Sequence, residues 1–380
     1  MTDRVIEKYF ASIYLAMIGD KIGFGNGEIE TNFHFNKLPN DSKLYEAIEG
    51  LTKRMVYQFI SKGGITGFNT TEFEVSDDTL MNVNTFQGLV SNYKNNDELY
   101  NNITNEYIES FKDIDYARDV LLAGRQTIES INRINSGASW RNFPYSKNAG
   151  GSGGPMRVMG LGLAFHKNSN ILQLIESTIM ITSITHPNCI AFLGSIASAL
   201  FTSYALKGMN IETWIFELMT LLETDKIDGI IEKIKPNYIE HFIEDKKSFI
   251  FKLNTYIEDS FRDYNFNVSE VQDIFLENRV RYYKKFSEDK RFFSPGSGAD
   301  DCIIVAYDCL LLSKNSYEKL VYKSMLMIGD SDTVGSIASA WYGAYYGFDN
   351  VPLNLINKSD LYYDVLKTIS LDMYNKYYKI

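Results

Sequence analysis

The phrase Gly-Ser-Ile-Ala-Ser-Ala occurs twice, at residues 194–199 and again at 335–340. Small side chains on a helix let neighbouring backbones approach closely, so both segments are expected to form central, tightly packed core helices. The flanking residues do not match, and no repeat architecture follows. Apolar residues at Ile6, Phe10, Ile13, Tyr14 and Met17 keep the three-and-four spacing of an amphipathic helix, and 170–182, 194–206, 303–313 and 337–346 read the same way. Sustained two-residue alternation is scarce, so the chain is expected to be all-α. Of 380 residues 45% are hydrophobic and only 7 are proline, which provides for a large core and offers no linker at which to divide the chain. A single domain over 1–380 is expected, with 222–292, rich in Lys, Glu, Asp, Tyr and Phe, as peripheral helices.

The formal net charge is −10 and no long basic run occurs, which disfavours a nucleic-acid partner. Cys189, Cys302 and Cys309 form an odd set without a C-x-x-C pair, which argues against a disulfide framework or a thiolate zinc site and fits a reducing compartment. The N-terminus starts polar and lacks the apolar core of a signal peptide. The most apolar stretch, 190–206, falls short of a membrane span. The expected setting is soluble and cytoplasmic, with no membrane partner.

Four histidines (His34, His166, His186, His241) leave little for a histidine-rich metal site or a Ser-His-Asp triad. The informative groups carry oxygen. Val75-Ser76-Asp77-Asp78-Thr79 sets two adjacent carboxylates between hydroxyls, and Gly329-Asp330-Ser331-Asp332-Thr333 opens one of the small-residue helices. Carboxylates held close together repel unless a cation lies between them. Hard oxygen donors suit Mg²⁺, Mn²⁺ or Ca²⁺ rather than zinc. Helix capping is the plainer use of such residues. Each motif precedes an apolar helical run, so both can present carboxylates at the starts of core helices.

A third feature runs from Asn148 to Arg157 and holds glycines at 150, 151, 153 and 154. Such a loop can turn backbone N–H groups toward an anion. It lacks the G-K-[ST] ending of a P-loop, and no alternating strand precedes it as in a dinucleotide fold. Two shorter features are Gly19-Asp20-Lys21-Ile22-Gly23-Phe24-Gly25-Asn26-Gly27, expected to end the first helix, and Thr185-His186-Pro187-Asn188 before a core helix.

In this order the motifs resemble the ADP-ribosylglycohydrolase family, over roughly residues 5–350, and within it the ADP-ribosylarginine hydrolase branch. The branch resemblance rests on 23–27, on Phe192 to Tyr204 and on 343–348. The resemblance implies a compact orthogonal bundle of helices with a central cleft holding two Mg²⁺, for which Mn²⁺ can substitute. It implies metal ligands at Ser76, Asp77, Asp78, Asp330, Asp332 and Thr333, and a water-orienting glutamate at Glu30. Gly150, Gly151, Ser152, Gly153, Gly154 and Met156 would hold the diphosphate and ribose of the substrate. His186 would touch its distal part, and Phe292 or Phe293 would stack on adenine. Two departures stand out: Gly298-Ala299-Asp300-Asp301-Cys302 replaces the G-H-D-A-P of the arginine branch, and Pro155 replaces a small alanine.

The expected chemistry is hydrolysis of the bond between ribose C1 and an arginine nitrogen of a modified protein, releasing ADP-ribose. Positive charge builds on the sugar, and a carboxylate can take a proton from the attacking water. Asp77 or Asp78 is expected near that water with Glu30 orienting it, the metal ions fixing ribose hydroxyls and acidifying a bound water. Asp300 and Asp301 offer a carboxylate wall for the guanidinium, although Asp300 can equally cap the helix that starts near Cys302. Three other readings stay open: an ADP-ribose reader without turnover, a hydrolase of serine-linked or polymeric ADP-ribose, and unrelated Mg²⁺-dependent phosphoryl hydrolysis. The intact acidic set argues against the first of these, and the order of five motifs against the last.

Overall fold

The computed structural model describes residues 4–29, 42–112, 123–167, 171–261, 282–287 and 294–379, with backbone alone for 42–49 and 52. Among them no residue lies in a strand; a lone antiparallel bridge joins Gly151 to Gly298. The longer helices are α1 (Arg4–Phe24), α2 (Ser42–Ser61), α3 (Asp77–Val90), α4 (Asn96–Ser110), α5 (Arg125–Asn135), α6 (Ile171–Thr182) and α7 (Cys189–Leu206). They continue as α8 (Trp214–Leu222), α9 (Lys226–Ile234), α10 (Ile239–Ser260), α11 (Asp301–Ser313), α12 (Ser331–Tyr346) and α13 (Tyr363–Tyr377). The all-α expectation holds.

The two copies of the repeated phrase lie in α7 and α12, and both helices are buried along nearly their whole length. Each copy uses its glycine for a main-chain contact, with a different partner. A Cβ on Gly194 would stand 1.9 Å from the carbonyl oxygen of Ala299, and one on Gly335 would stand 2.7 Å from that of Gly19. An aromatic cluster fills the space beside them: Phe201 of α7 packs its ring 5.3 Å from both Tyr307 of α11 and Trp341 of α12. One hydrophobic cluster extends from Tyr9 to Tyr374.

The antiparallel pair α1 and α12 meets backbone to backbone. A Cβ on Gly343 would lie 2.4 Å from the Ala11 carbonyl, one on Gly19 would lie 2.2 Å from the Gly335 oxygen, and one on Gly23 would lie 2.3 Å from the Ser331 oxygen. The register is constant, with a glycine on one helix or the other at each point of contact. Helix α1 ends at Phe24, inside the glycine-rich run 19–27 that was expected to close it, and stays helical through Gly19 and Gly23. Glycine's weak helix propensity is overridden where only a hydrogen fits between two helices. Chain reversal comes later, at Gly25, Asn26 and Gly27, all with positive φ.

A second expectation also changes. Helix α7 spans 18 residues with a mean hydropathy of 1.7, long and apolar enough to cross a membrane, whereas 190–206 was expected to fall short. Within this fold 89% of that window is buried by the other helices. Helix α10, from the segment expected to be peripheral, packs against α7, and its Lys252 forms an ion pair with Asp300 at 2.6 Å.

The glycine contact is testable by adding one methyl group. Gly19→Ala should destabilise the protein by about 1–3 kcal/mol through overpacking against main chain that cannot give way. Gly229→Ala, in the middle of α9 with nothing within 4 Å of the new Cβ, should stabilise by about 0.5–1 kcal/mol. Urea unfolding of both variants decides; equal effects would mean that the α1–α12 contact is loose.

Candidate functional site

The crossing of α1 and α12 brings the two acidic motifs together at the starts of α3 and α12. Ser76 is the N-cap of α3, its Oγ accepting from the Asp78 N–H at 3.1 Å. Asp330 precedes α12, where the Thr333 N–H donates to Asp332 at 2.9 Å. One hydrogen bond joins the helices directly: Thr333 Oγ1 donates to Asp78 Oδ2 at 3.2 Å, across 255 residues of sequence. Ser76 Oγ stands 3.4 Å from the same oxygen. Ser76, Asp78, Asp330, Asp332 and Thr333 are all buried, whereas Asp77 keeps partial exposure.

Burial and mutual repulsion set the electrostatics. Desolvation, then the charge of Asp332, hold the Asp78 carboxyl well above its ordinary range, and desolvation followed by Asp330 does the same to Asp332. Asp77 is pushed up to about 7 by desolvation and the charge of Asp20, with weaker opposition from a Gly124 backbone hydrogen bond and from Arg157. Asp78 Oδ1 is buried without a hydrogen-bond partner. A buried cluster of like charge with an idle acceptor oxygen is costly by itself. A hard divalent cation would relieve both costs, and the donor set, carboxylate and hydroxyl oxygen throughout, has the chemistry for Mg²⁺ or Mn²⁺. No three His, Cys, Asp or Glu side chains among the described residues converge as a ready cage. A ligand set here would draw on the hydroxyls of Ser76 and Thr333 as well. Glu30, Phe292 and Phe293 lie outside the described residues.

The glycine loop is pinned to the segment before α11. Ser152 N–H donates to Ser297 O at 3.0 Å and Ala299 N–H to Gly150 O at 2.9 Å, while Ser152 Oγ donates to Asp330 Oδ2 at 2.9 Å. The loop thus touches the acidic cluster. Its glycines serve packing on their inner side: a Cβ on Gly153 would lie 2.6 Å from His186 Cε1, and one on Gly154 would lie 2.8 Å from Ser195 Oγ. No described residue accepts from the backbone N–H of Gly151 or Gly153, which leaves those donors for an anion. Met156 turns its side chain into the core, 2% exposed, so only its backbone belongs to the loop surface.

His186 is buried behind Gly153, its Nδ1 2.8 Å from Thr185 Oγ1. Burial, then the charge of Arg157, push the imidazole down to about 3, so the ring is neutral at physiological pH. Beyond the loop lies a cavity of about 250 Å³ whose walls include Gly150, Asn188, Lys252, Phe286, Gly298 and Asp300. Asp300 faces it already paired with Lys252, and its carboxylate also accepts from the Asp301 N–H as the N-cap of α11. Asp301 lines the cavity too, with its carboxylate engaged in the turn: it accepts from the N–H groups of Gly296 and Gly298 and from Ser287. Ala299, where the resemblance leads one to expect histidine, is fully buried against Gly194.

Sequence reasoning gave no role to three residues that the fold brings here. Asp20 is fully buried and receives four hydrogen bonds from the 76–79 turn; its signal was the G-D-x-x-G run. Arg157 is fully buried under the loop with its guanidinium 4.8 Å from the Tyr107 ring. Lys252 carried no signal, because its partner Asp300 lies 48 residues away.

The neutral state of His186 has a consequence for acid stability. Because its folded pKa is lowered, the unfolded chain binds a proton that the native ring cannot, so stability is lost as pH falls from about 6.5 toward 3. His186→Gln should therefore show a shallower fall in melting temperature between pH 6.5 and 4 than the wild type. Parallel curves would mean that His186 is protonated in the native protein.

Three comparisons with known proteins find relatives of this chain. The sequence profile of the ADP-ribosylglycohydrolase family matches residues 1–379. A protein of Acanthamoeba polyphaga mimivirus, provisionally named as the ADP-ribosyl glycohydrolase L444, is 31% identical over 88% of this chain, which spans only 63% of that relative's length. The ADP-ribosylhydrolase ARH1 of Dictyostelium discoideum is 29% identical over 91% of this chain and 88% of its own. A solved structure described as an ADP-ribosylglycohydrolase-related protein complex covers 99% of both chains with a TM-score of 0.59 at 16% identity, and so shares the fold. With a family profile matched over residues 1–379, this chain belongs to the ADP-ribosylglycohydrolase family.

Proposed function

We propose that the chain is a Mg²⁺-dependent hydrolase that removes ADP-ribose from modified proteins, with arginine as the linked side chain. The observation that carries this reading is the hydrogen bond from Ser152 to Asp330, which holds an anion-capable loop against the acidic cluster. A substrate spanning that junction would have phosphate on one side and a charge-developing ribose on the other. ADP-ribose has that layout.

The chain's own residues supply most of the chemistry. The N–H groups of Gly151 and Gly153 would bind the diphosphate and fix the ribose over the cleft. Asp77 is partly exposed and has a carboxyl near neutrality, which suits it to accept a proton from water near C1. Asp78, Asp330 and Asp332 provide negative charge where the ribosyl cation develops. Ser76, Asp77, Asp78, Asp330, Asp332 and Thr333 are the residues that would hold the cations. A bound divalent ion supplies Lewis acidity toward ribose hydroxyls and water. The buried thiols of Cys189, Cys302 and Cys309, none of them in a disulfide among the described residues, suit a reducing, cytoplasmic setting.

The arginine linkage rests on the resemblance around Asn26 and Tyr345. One observation favours a second reading, hydrolysis of serine-linked ADP-ribose: Asp300 is occupied by Lys252 and offers a guanidinium less than its sequence position promised. The ADP-ribosylhydrolase ARH3 of Xenopus tropicalis, 23% identical over 92% of this chain and 90% of its own, marks a second named relative of full length.

Two experiments test the proposal. Asp78→Asn and Asp332→Asn should each lower turnover on ADP-ribosylated peptide at least about a hundredfold, or about 2.7 kcal/mol, while the metal-free variants melt above the wild type because a buried charge is gone. Wild-type turnover in both variants, or in EDTA, would reduce the acidic motifs to helix caps. Release from two peptides that differ only in an arginine or a serine linkage should favour arginine by about tenfold or more. Equal or reversed rates would assign the O-linked reading.

A further inference from the structure

Asp20 sits near the C-terminal end of α1, fully buried, a poor place for a carboxylate unless something specific holds it there. What holds it comes from one turn of another element. The Ser76 N–H lies 3.1 Å from both of its oxygens, the Thr79 N–H lies 3.1 Å from Oδ2, and the Thr79 hydroxyl donates to Oδ2 at 2.5 Å. Every one of these partners is a donor, so an acceptor-only side chain is required at both oxygen positions. An asparagine would set its own NH₂ against an N–H whichever way it turned. Lys21, the next residue, is committed to Asp360 at 2.7 Å.

Starting α3 does not by itself call for this arrangement. Ser76 already caps the helix through its Oγ on the Asp78 N–H. The second cap is buried, charged, and placed beneath the pair Asp77-Asp78. Its charge adds to the repulsion felt by Asp77, Asp78 and Asp332. A structural cap would be better neutral there, whereas beside a cation an additional negative charge deepens the well. Asp78 Oδ1, buried and unpartnered, is the acceptor left over on the turn that Asp20 fixes.

We infer that Asp20 is a positioning residue for the cation site: it clamps the 76–79 turn so that Asp77 and Asp78 are held in place, and it adds buried negative charge behind them. This rests on the metal reading proposed above. The test is calorimetric titration of Mg²⁺ into the full chain, as wild type, Asp20→Asn and Thr79→Val, with ADP-ribose titrated in EDTA as the control for the glycine loop. Asp20→Asn should weaken Mg²⁺ binding by about tenfold or more, equivalent to about 1.4 kcal/mol. Thr79→Val, which keeps the charge but removes the hydroxyl donor, should weaken it by roughly threefold. Affinity for ADP-ribose without metal should stay within about twofold in both. Unchanged Mg²⁺ affinity in Asp20→Asn, or an equal loss of Mg²⁺ and ADP-ribose affinity, would overturn the inference. If Asp20→Asn does not fold, Thr79→Val decides alone, and wild-type Mg²⁺ affinity there overturns it. A wild-type chain that takes up no Mg²⁺ brings down the metal reading itself, which separates the two failures.

Discussion

At Gly19 and Gly335 two helices touch main chain to main chain, and the placement of the acidic cleft follows from that contact. With α12 seated directly on α1, Ser331 donates its hydroxyl to the Gly23 carbonyl at 2.8 Å, fixing where α12 begins. The same stretch of α1 carries Asp20, which captures the start of α3. Two helix N-termini that lie far apart in sequence are thereby set against one another by a single rigid element. A side chain at either glycine would force the helices apart and separate Thr333 from Asp78.

The site that results is electrostatically unfavourable as a bare protein structure. Four aspartates crowd two helix starts, with a fifth behind them, and burial removes the water that would screen them. Helix N-termini recover part of the cost through their N–H groups and dipoles. The buried pair of Lys21 and Asp360, with Lys21 also donating to Thr70 O at 3.0 Å, braces the same region from the other side of α1. Strain of this kind is often found at functional sites, and the proposed function would use it as affinity for positive charge.

The glycine loop shows a division of labour between two faces. Its inner face has no room for side chains because His186 and Ser195 press against Gly153 and Gly154. Among the described residues nothing accepts from the N–H groups of Gly151 and Gly153. Flatness on one side thus makes backbone donors available on the other. Ser152 directs its side chain at the acidic cluster, and its hydrogen bond to Asp330 couples loop and cluster.

The helical class was legible from the sequence because burial of one face imposes its spacing on the residues themselves, as at Ile6, Phe10, Ile13 and Met17. The oxygen donors were legible as well, since paired aspartates beside hydroxyls are a local signature. What local signals could not show was the role of residues whose partners lie far along the chain. The run 19–27 marked the end of the first helix, but not that Gly19 and Gly23 stay helical within it, where they meet residues more than 300 positions away. Asp300 read as a free wall until the fold brought Lys252 of α10 to it. The small residues of α7 marked it as a packed core helix, but not which helices would surround it. Sequence determined which groups are available and in what local conformation. Only the tertiary structure decided which of them meet, because packing at close range selects partners by shape and register, and these are properties of assembled helices rather than of any one segment.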